Sequence, residues 1–186
     1  MNTQKHYFLA VKLPETIKND FALYTEKIKD ELPFQRWVHR EDLHITLAFL
    51  GYATEEQLHN INKIMPSIAK KYEALSLKLT TLNTFGKKES PRILWYGVED
   101  NSELHALRQD IFLECERLGF SLDKRPFHPH ITLARKWKGG NFSEEFLIPF
   151  HTINRLFLAS EFVLYQTNLQ SVPKYEIIHS YTFKEG

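Results

Sequence analysis

The sequence predicts a chain of strands and helices folded as two similar lobes that face each other across a pseudo-twofold axis, with a cleft between them. Three observations predict it. The pentapeptide HITLA occurs twice, at residues 44–48 and 130–134. Phe8 and Leu94 each stand 36 residues before the histidine of one copy, and both intervals hold an apolar strand, an amphipathic helix and the HITLA strand in that order. No low-complexity tract or long Gly/Ser linker divides the chain. Two repeats are too few for a solenoid, so a duplicated strand-helix-strand unit closing on its copy is the better account. The repeats are expected over about 5–85 and 90–183 of a single bilobal domain, 1–186.

Each element has a local reason. "YFLAVKL" (7–13) reads as a strand, and Pro14 opens a helix whose Ile17, Phe21, Tyr24 and Ile28 recur at helical spacing. "DLHITLAFLG" is apolar and β-branched with a closing glycine, and the helix "TEEQLHNINKIMPSIAKKY" follows with Thr54 as its N-cap. "ALSLKLTTLNTFG" alternates like a half-buried strand, and "RILWYGVE" (92–99) is another. "NSELHALRQDIFLECERLGF" sets Leu104, Leu107, Ile111 and Cys115 on one helical stripe with Gly119 as its stop. The second HITLA strand comes next, and "INRLFLASEFVLYQTNL" and "KYEIIHSYTFK" are expected as two closing strands.

A chain of 186 residues buries roughly two thirds of its unfolded surface and needs no staple. Cys115 is the only cysteine, which excludes an intramolecular disulfide, disfavours a thiolate zinc site and suits a cytoplasmic location. The opening "MNTQKHYFLAVKLPE" has an apolar run too short for a signal-peptide core or a bilayer span, so no membrane association is expected. Net charge is +1, which leaves room for a local basic cluster but not for a bulk basic field.

Residues two apart on a strand share a face, so His44 and Thr46 point one way and His130 and Thr132 point together likewise. Packing alone would accept Val, Phe or Tyr there, and an unpaired polar group in an apolar strand costs about 1 to 3 kcal/mol. Retaining the same polar pair twice therefore points to a site. Two imidazoles across a cleft supply a general base and a general acid, and two hydroxyls can hold the non-bridging oxygens of a phosphodiester between them, without a metal.

The motifs His44-Ile45-Thr46-Leu47 and His130-Ile131-Thr132-Leu133 resemble the paired H-x-T-x signature of the 2H phosphoesterase superfamily. "YFLAVKLP", "WVHREDLHITLAFLG", "RILWYGV" and "RPFHPHITLARK" are similar, in order and spacing, to its bacterial RNA 2′,3′-cyclic phosphodiesterase branch, once named 2′-5′ RNA ligase. The resemblance implies an α+β fold of two pseudo-symmetric lobes, each an antiparallel sheet with helices on its outer face. It implies metal-independent hydrolysis of 2′,3′-cyclic phosphodiesters to 2′-phosphomonoesters, with no cofactor. His44 would be the proton donor to the leaving 3′ oxygen, His130 the proton acceptor from water, and Thr46 and Thr132 the phosphate-binding hydroxyls. The implied partners are RNA ends with a 2′,3′-cyclic phosphate or small cyclic nucleotides, met by a monomer. The residues alone do not orient the histidine pair, and they leave open RNA joining as the physiological direction and a nucleotide-binding module without turnover.

Arg135 matches an arginine that the family places near phosphate. Strict alternation, however, puts it on the face opposite His130, so it reaches the cleft only through a bulge or strand end and is otherwise a solvated arginine. Its counterpart in the first copy is Phe49. His128 with His130 and His44 would make three imidazole metal ligands, but the first copy has Asp42 at the matching position. Lys124, Arg125, Arg36, His39 and Arg40 are candidates for the cleft mouth or solvated loop charges. Trp37, Trp95 and Tyr96 are candidates for base stacking, with Trp95 expected in the core, and Cys115 reads as packing.

Overall fold

The computed structural model describes residues 5–185. Its strands are β1 (Tyr7–Lys12), β2 (Phe34–Trp37), β3 (His44–Gly51), β4 (Leu75–Lys87), β5 (Ser90–Val98), β6 (His130–Trp137), β7 (Leu156–Ala159), β8 (Glu161–Thr167) and β9 (Tyr175–Thr182). Its α-helices are α1 (Glu15–Ile28), α2 (Glu55–Ala69) and α3 (Ser102–Arg117). Short 3-10 turns at Arg40–Asp42 and Glu144–Phe150 complete the set.

The first two helices start where the sequence expects them, after Pro14 and Thr54, and the cap of the third is added by the structure. Pro14 precedes α1 in an extended conformation, Thr54 and Gln57 form a reciprocal capping box on α2, and Asn101 accepts from Leu104 N–H to cap α3. Gly119 follows α3 with a φ of 85°, the left-handed conformation that ends a helix without a Cβ penalty.

All strand pairings are antiparallel, in the order β7-β4-β5-β6-β3-β1-β8-β9, with β2 also paired to β6. The fold is thus α+β, and the two HITLA strands, β3 and β6, are the neighbours at its centre. The two halves of the chain exchange strands. β8 and β9, from the C-terminal end, complete the side that holds β1 and β3, and β4 completes the side that holds β5 and β6.

One continuous apolar core lies on the helical face, where Ile17 and Phe21 of α1, Ile61 and Met65 of α2, and Leu107 and Ile111 of α3 are fully buried. A smaller cluster of Phe8, Ala10, Val163 and Tyr165 lies apart from it and packs with Tyr175. No helix among the described residues is long and apolar enough to cross a membrane.

Two features depart from the sequence reading. The run 153–169 is expected as one strand but breaks at Ser160 into β7 and β8, because β7 pairs with β4 while β8 pairs with β1 and β9. The four-residue β2 is not expected from the sequence; it forms by hydrogen bonding to β6, a long-range contact that its own four letters do not signal.

Candidate active site

The site is built on the contact between β3 and β6. Ile45 pairs with Ile131, both fully buried in the core. Antiparallel pairing about that point sets His44 across from Thr132 and Thr46 across from His130, so the four polar side chains of the two motifs gather on the face opposite the core.

Each imidazole is held by the same device. Nδ1 of His44 lies 2.7 Å from the carbonyl oxygen of Asp42, and Nδ1 of His130 lies 2.7 Å from the carbonyl oxygen of His128. A carbonyl only accepts, so both Nδ1 atoms donate, which leaves each Nε2 as the ring atom that can take or give a proton. The residue two before each histidine therefore serves through its backbone, which is why Asp in one copy and His in the other do the same work. Nε2 of His44 is also 3.0 Å from Thr46 Oγ1.

Aromatic walls surround the two rings. His44 packs against Phe8, Tyr175 and Tyr165 at centroid distances of 4.8, 5.3 and 5.7 Å. His130 packs against Phe85 and Trp95 at 5.0 and 5.6 Å. Desolvation by these walls lowers the His44 pKa to about 4, opposed by its bond to the Asp42 carbonyl. His130 is lowered for the same reason, and Arg135 adds to the effect on both rings.

The position of Arg135 has a specific cause. β1 pairs Leu9 with Ala48 but Ala10 with Thr46, leaving Leu47 as an extra residue in β3. β5 pairs Leu94 with Ala134 but Trp95 with Thr132, leaving Leu133 extra in β6. The same β-bulge thus occurs in both copies. Two consecutive residues, Leu47-Ala48 and Leu133-Ala134, turn into the core, and the next residue returns to the cleft face. That residue is Arg135 in β6 and Phe49 in β3. Phe49 is 55% exposed, so it is not a packing residue.

A family model for LigT-like phosphoesterases matches residues 11–95 and again 97–175. The chain belongs to this family. An RNA 2′,3′-cyclic phosphodiesterase of Geobacillus stearothermophilus is 43% identical over 179 residues, covering 96% of this chain and 57% of that protein. One of Bacillus subtilis (strain 168) is 38% identical over 176 residues, 95% of each chain. This chain therefore spans little more than half of the Geobacillus relative and nearly all of the Bacillus one. The crystal structure of Escherichia coli LigT complexed with 3′-AMP superposes with a TM-score of 0.76 at 23% identity, covering 97% of this chain and 99% of that one. A crystal structure from Thermus thermophilus superposes with a TM-score of 0.76 at 21% identity, covering 96% of this chain and 97% of that one. These two likenesses show a shared fold, in agreement with the 2H resemblance of the paired motifs.

Other residues of this LigT-like phosphoesterase sort by the same geometry. Tyr96, fully buried, donates to the Ile153 carbonyl and belongs to the core. Trp95, expected in the core, stands instead on the cleft face against Phe85 and His130, because the bulge opposite it sets its partner as Thr132. Trp37 is half-buried and packs on the core. His39 accepts from Glu41 N–H, Arg40 pairs with Glu15 and Glu41, Lys124 with Glu116 and Arg125 with Asp123. Among the described residues no three His, Cys, Asp or Glu side chains stand close enough to hold a metal ion, so His44, His128 and His130 do not assemble as a ligand set.

Sequence reasoning missed Phe8, Tyr165, Tyr175 and the carboxylate of Asp42. That carboxylate is buried, and it accepts the backbone N–H of Lys174 on both oxygens at 2.9 Å and that of Tyr175 on one oxygen at 2.9 Å. It ties the start of β9 to the turn before β3 and seats Tyr175 over His44. No local pattern announces a contact across 132 residues.

Proposed function

We propose that this LigT-like phosphoesterase hydrolyses 2′,3′-cyclic phosphate ends of RNA, or small cyclic nucleotides, to 2′-phosphomonoesters, with His44 as proton donor and His130 as proton acceptor. The observation that carries the reading is the crossed His-Thr square about Ile45 and Ile131, with both Nδ1–H groups donating to backbone carbonyls so that each Nε2 is left for proton transfer.

The chemistry follows from that square. A cyclic phosphate on the pseudo-twofold axis receives hydrogen bonds from the Thr46 and Thr132 hydroxyls on its two non-bridging oxygens, while Arg135 balances the negative charge. Nε2 of His130 takes a proton from water as the water oxygen bonds to phosphorus. The bond from phosphorus to the 3′ oxygen breaks, and Nε2 of His44 protonates that oxygen. Before substrate binds, His44 is neutral at neutral pH, so the anionic substrate itself must draw the proton it later receives. The names of the Geobacillus and Bacillus relatives support the substrate class.

The reaction as written uses no metal or other cofactor. Cys115 is buried, and desolvation pushes its thiol up to about 12, which suits packing and a reducing cytoplasm better than redox chemistry. A monomer suffices, since both halves of the square come from one chain.

The test is to incubate the chelator-treated protein with an oligonucleotide ending in a 2′,3′-cyclic phosphate and identify the monoester formed. A 2′ product is expected. A 3′ product would exchange the two histidine roles, and absence of turnover would overturn the reading.

A further inference from the structure

The candidate arginines and lysine of the site and its mouth divide into two groups. Arg40, Lys124 and Arg125 are neutralised by carboxylates of their own neighbourhood. Arg36 and Arg135 form no ion pair with a carboxylate among the described residues, and they are direct register partners across β2 and β6. Both are exposed.

The sheet gives that pair a definite place. Phe85 pairs with Ile93, Ile93 with Arg135, and Arg135 with Arg36, so these four residues form one row across β4, β5, β6 and β2. Residues in direct register share a face, and Phe85 contacts His130, so the row belongs to the cleft side. Arg135 stands at the bulge beside the His-Thr square and acts on both imidazoles. Arg36 stands one strand further out, about 5 Å away. Like charges directly opposite each other repel, and nothing among the described residues offsets this pair. Phosphate groups bound at the two guanidinium forks would.

We propose that Arg36, beside the Arg135 that serves the reacting phosphate, binds a second phosphate, the 5′-phosphate group of the nucleotide that carries the cyclic ester. This rests on the phosphodiesterase reading above. Any RNA end presents such a phosphate as the phosphodiester to the preceding nucleotide, and a nucleoside cyclic phosphate with a free 5′ hydroxyl does not. Arg36 is then a specificity-determining residue, outside the reacting square, that separates nucleotide-chain ends from small cyclic esters.

The experiment compares adenosine 2′,3′-cyclic phosphate with its 5′-phosphorylated counterpart, using the unaltered protein, Arg36→Ala and Arg36→Lys. The unaltered protein is expected to favour the 5′-phosphorylated compound in kcat/KM by about tenfold or more, as a charge-assisted contact to phosphate would give. Arg36→Ala brings the ratio towards one, Arg36→Lys retains part of it, and added salt erodes it in the unaltered protein. Equal kcat/KM for the two compounds in the unaltered protein, or a preference that survives Arg36→Ala, would overturn the assignment while leaving the phosphodiesterase reading intact. Turnover of neither compound would overturn that reading, and the role of Arg36 with it.

Discussion

Ile45 pairs directly with Ile131, both wholly buried, and this pair is the pivot about which the two histidines and two threonines are set. The apolar side chains lie on the core face and the polar ones on the other, so the packing that holds the pivot also aligns the chemistry. Ile131→Ala removes fully buried volume from the core. A loss of about 2 to 5 kcal/mol is expected in urea unfolding. Activity should fall further than folded protein does, because the square loses its fixed spacing. A variant with full kcat/KM in its folded fraction would show that the pivot does not position the site.

The two motifs should act as one unit. His44→Ala and His130→Ala are each expected to lower kcat at least about a hundredfold on a cyclic phosphate end. Thr46→Val and Thr132→Val should lower kcat/KM by smaller factors, since each removes one donor to the phosphate. Because acid and base serve one displacement, the double histidine variant should lose little more than either single one. Additive losses would place the two histidines in separate steps.

Burial of His44 also predicts an acid sensitivity. The unfolded imidazole titrates near 6.5 and the folded one at about 4, so below pH 6.5 the unfolded state binds a proton that the folded state resists. This contribution is fully present above about pH 6.5 and is lost as pH falls towards 4; it amounts to at most about 3 kcal/mol, less for the partial exposure of the ring. Urea unfolding at pH 7.5 and 4.5 tests it. The unaltered protein should lose more stability between the two pH values than His44→Asn does, and equal losses would contradict the assigned shift.

Most of the candidate site is legible because it is written twice. His44, Thr46, His130 and Thr132 stand where period-two alternation from one repeated pentapeptide puts them, and the helices follow the stripes of α1 and α3, the Thr54 cap of α2 and the Gly119 stop. Alternation failed at Arg135 because Leu133 bulges, and a bulge depends on the register of a neighbouring strand, which single-strand periodicity does not contain. The same bulge at Leu47 was equally silent, although the apolar triplet Leu-Ala-Phe in the first copy is compatible with either face. Tyr175 and the Asp42 carboxylate came together only through the folded topology, which returns β9 to the turn before β3.

Asp42 links these two parts of the site and can be tested apart from the chemistry. Its carboxylate accepts from two backbone N–H groups at the start of β9, while its carbonyl orients His44. Asp42→Ala keeps the carbonyl but leaves the two N–H groups unpaired. A stability loss of about 2 to 3 kcal/mol is expected, with Tyr175 less firmly seated on the His44 ring. The carboxylate charge raises the His44 pKa, so its loss should move the titration of that ring downward in kcat/KM, and an upward shift would show that hydration of a loosened ring outweighs it. Asp42→Asn, which keeps one accepting oxygen, should recover part of the lost stability; a profile unchanged in both variants would leave Asp42 a purely structural clasp.

Arg135 gives the sharpest separation between charge and shape. Its guanidinium lies near both imidazoles and lowers both. Removing it in Arg135→Ala should therefore raise the pKa of each histidine, and the acidic limb of the kcat/KM profile, which reports the neutral base His130, should move to higher pH. At the same time KM for a cyclic phosphate end should rise about tenfold or more through loss of a charge-assisted contact. Arg135→Lys keeps the charge but not the planar fork, so it should restore the position of the acidic limb more completely than it restores KM. Recovery of KM without recovery of the limb, or an acidic limb that moves to lower pH in Arg135→Ala, would mean that Arg135 does not face the two histidines from the bulge.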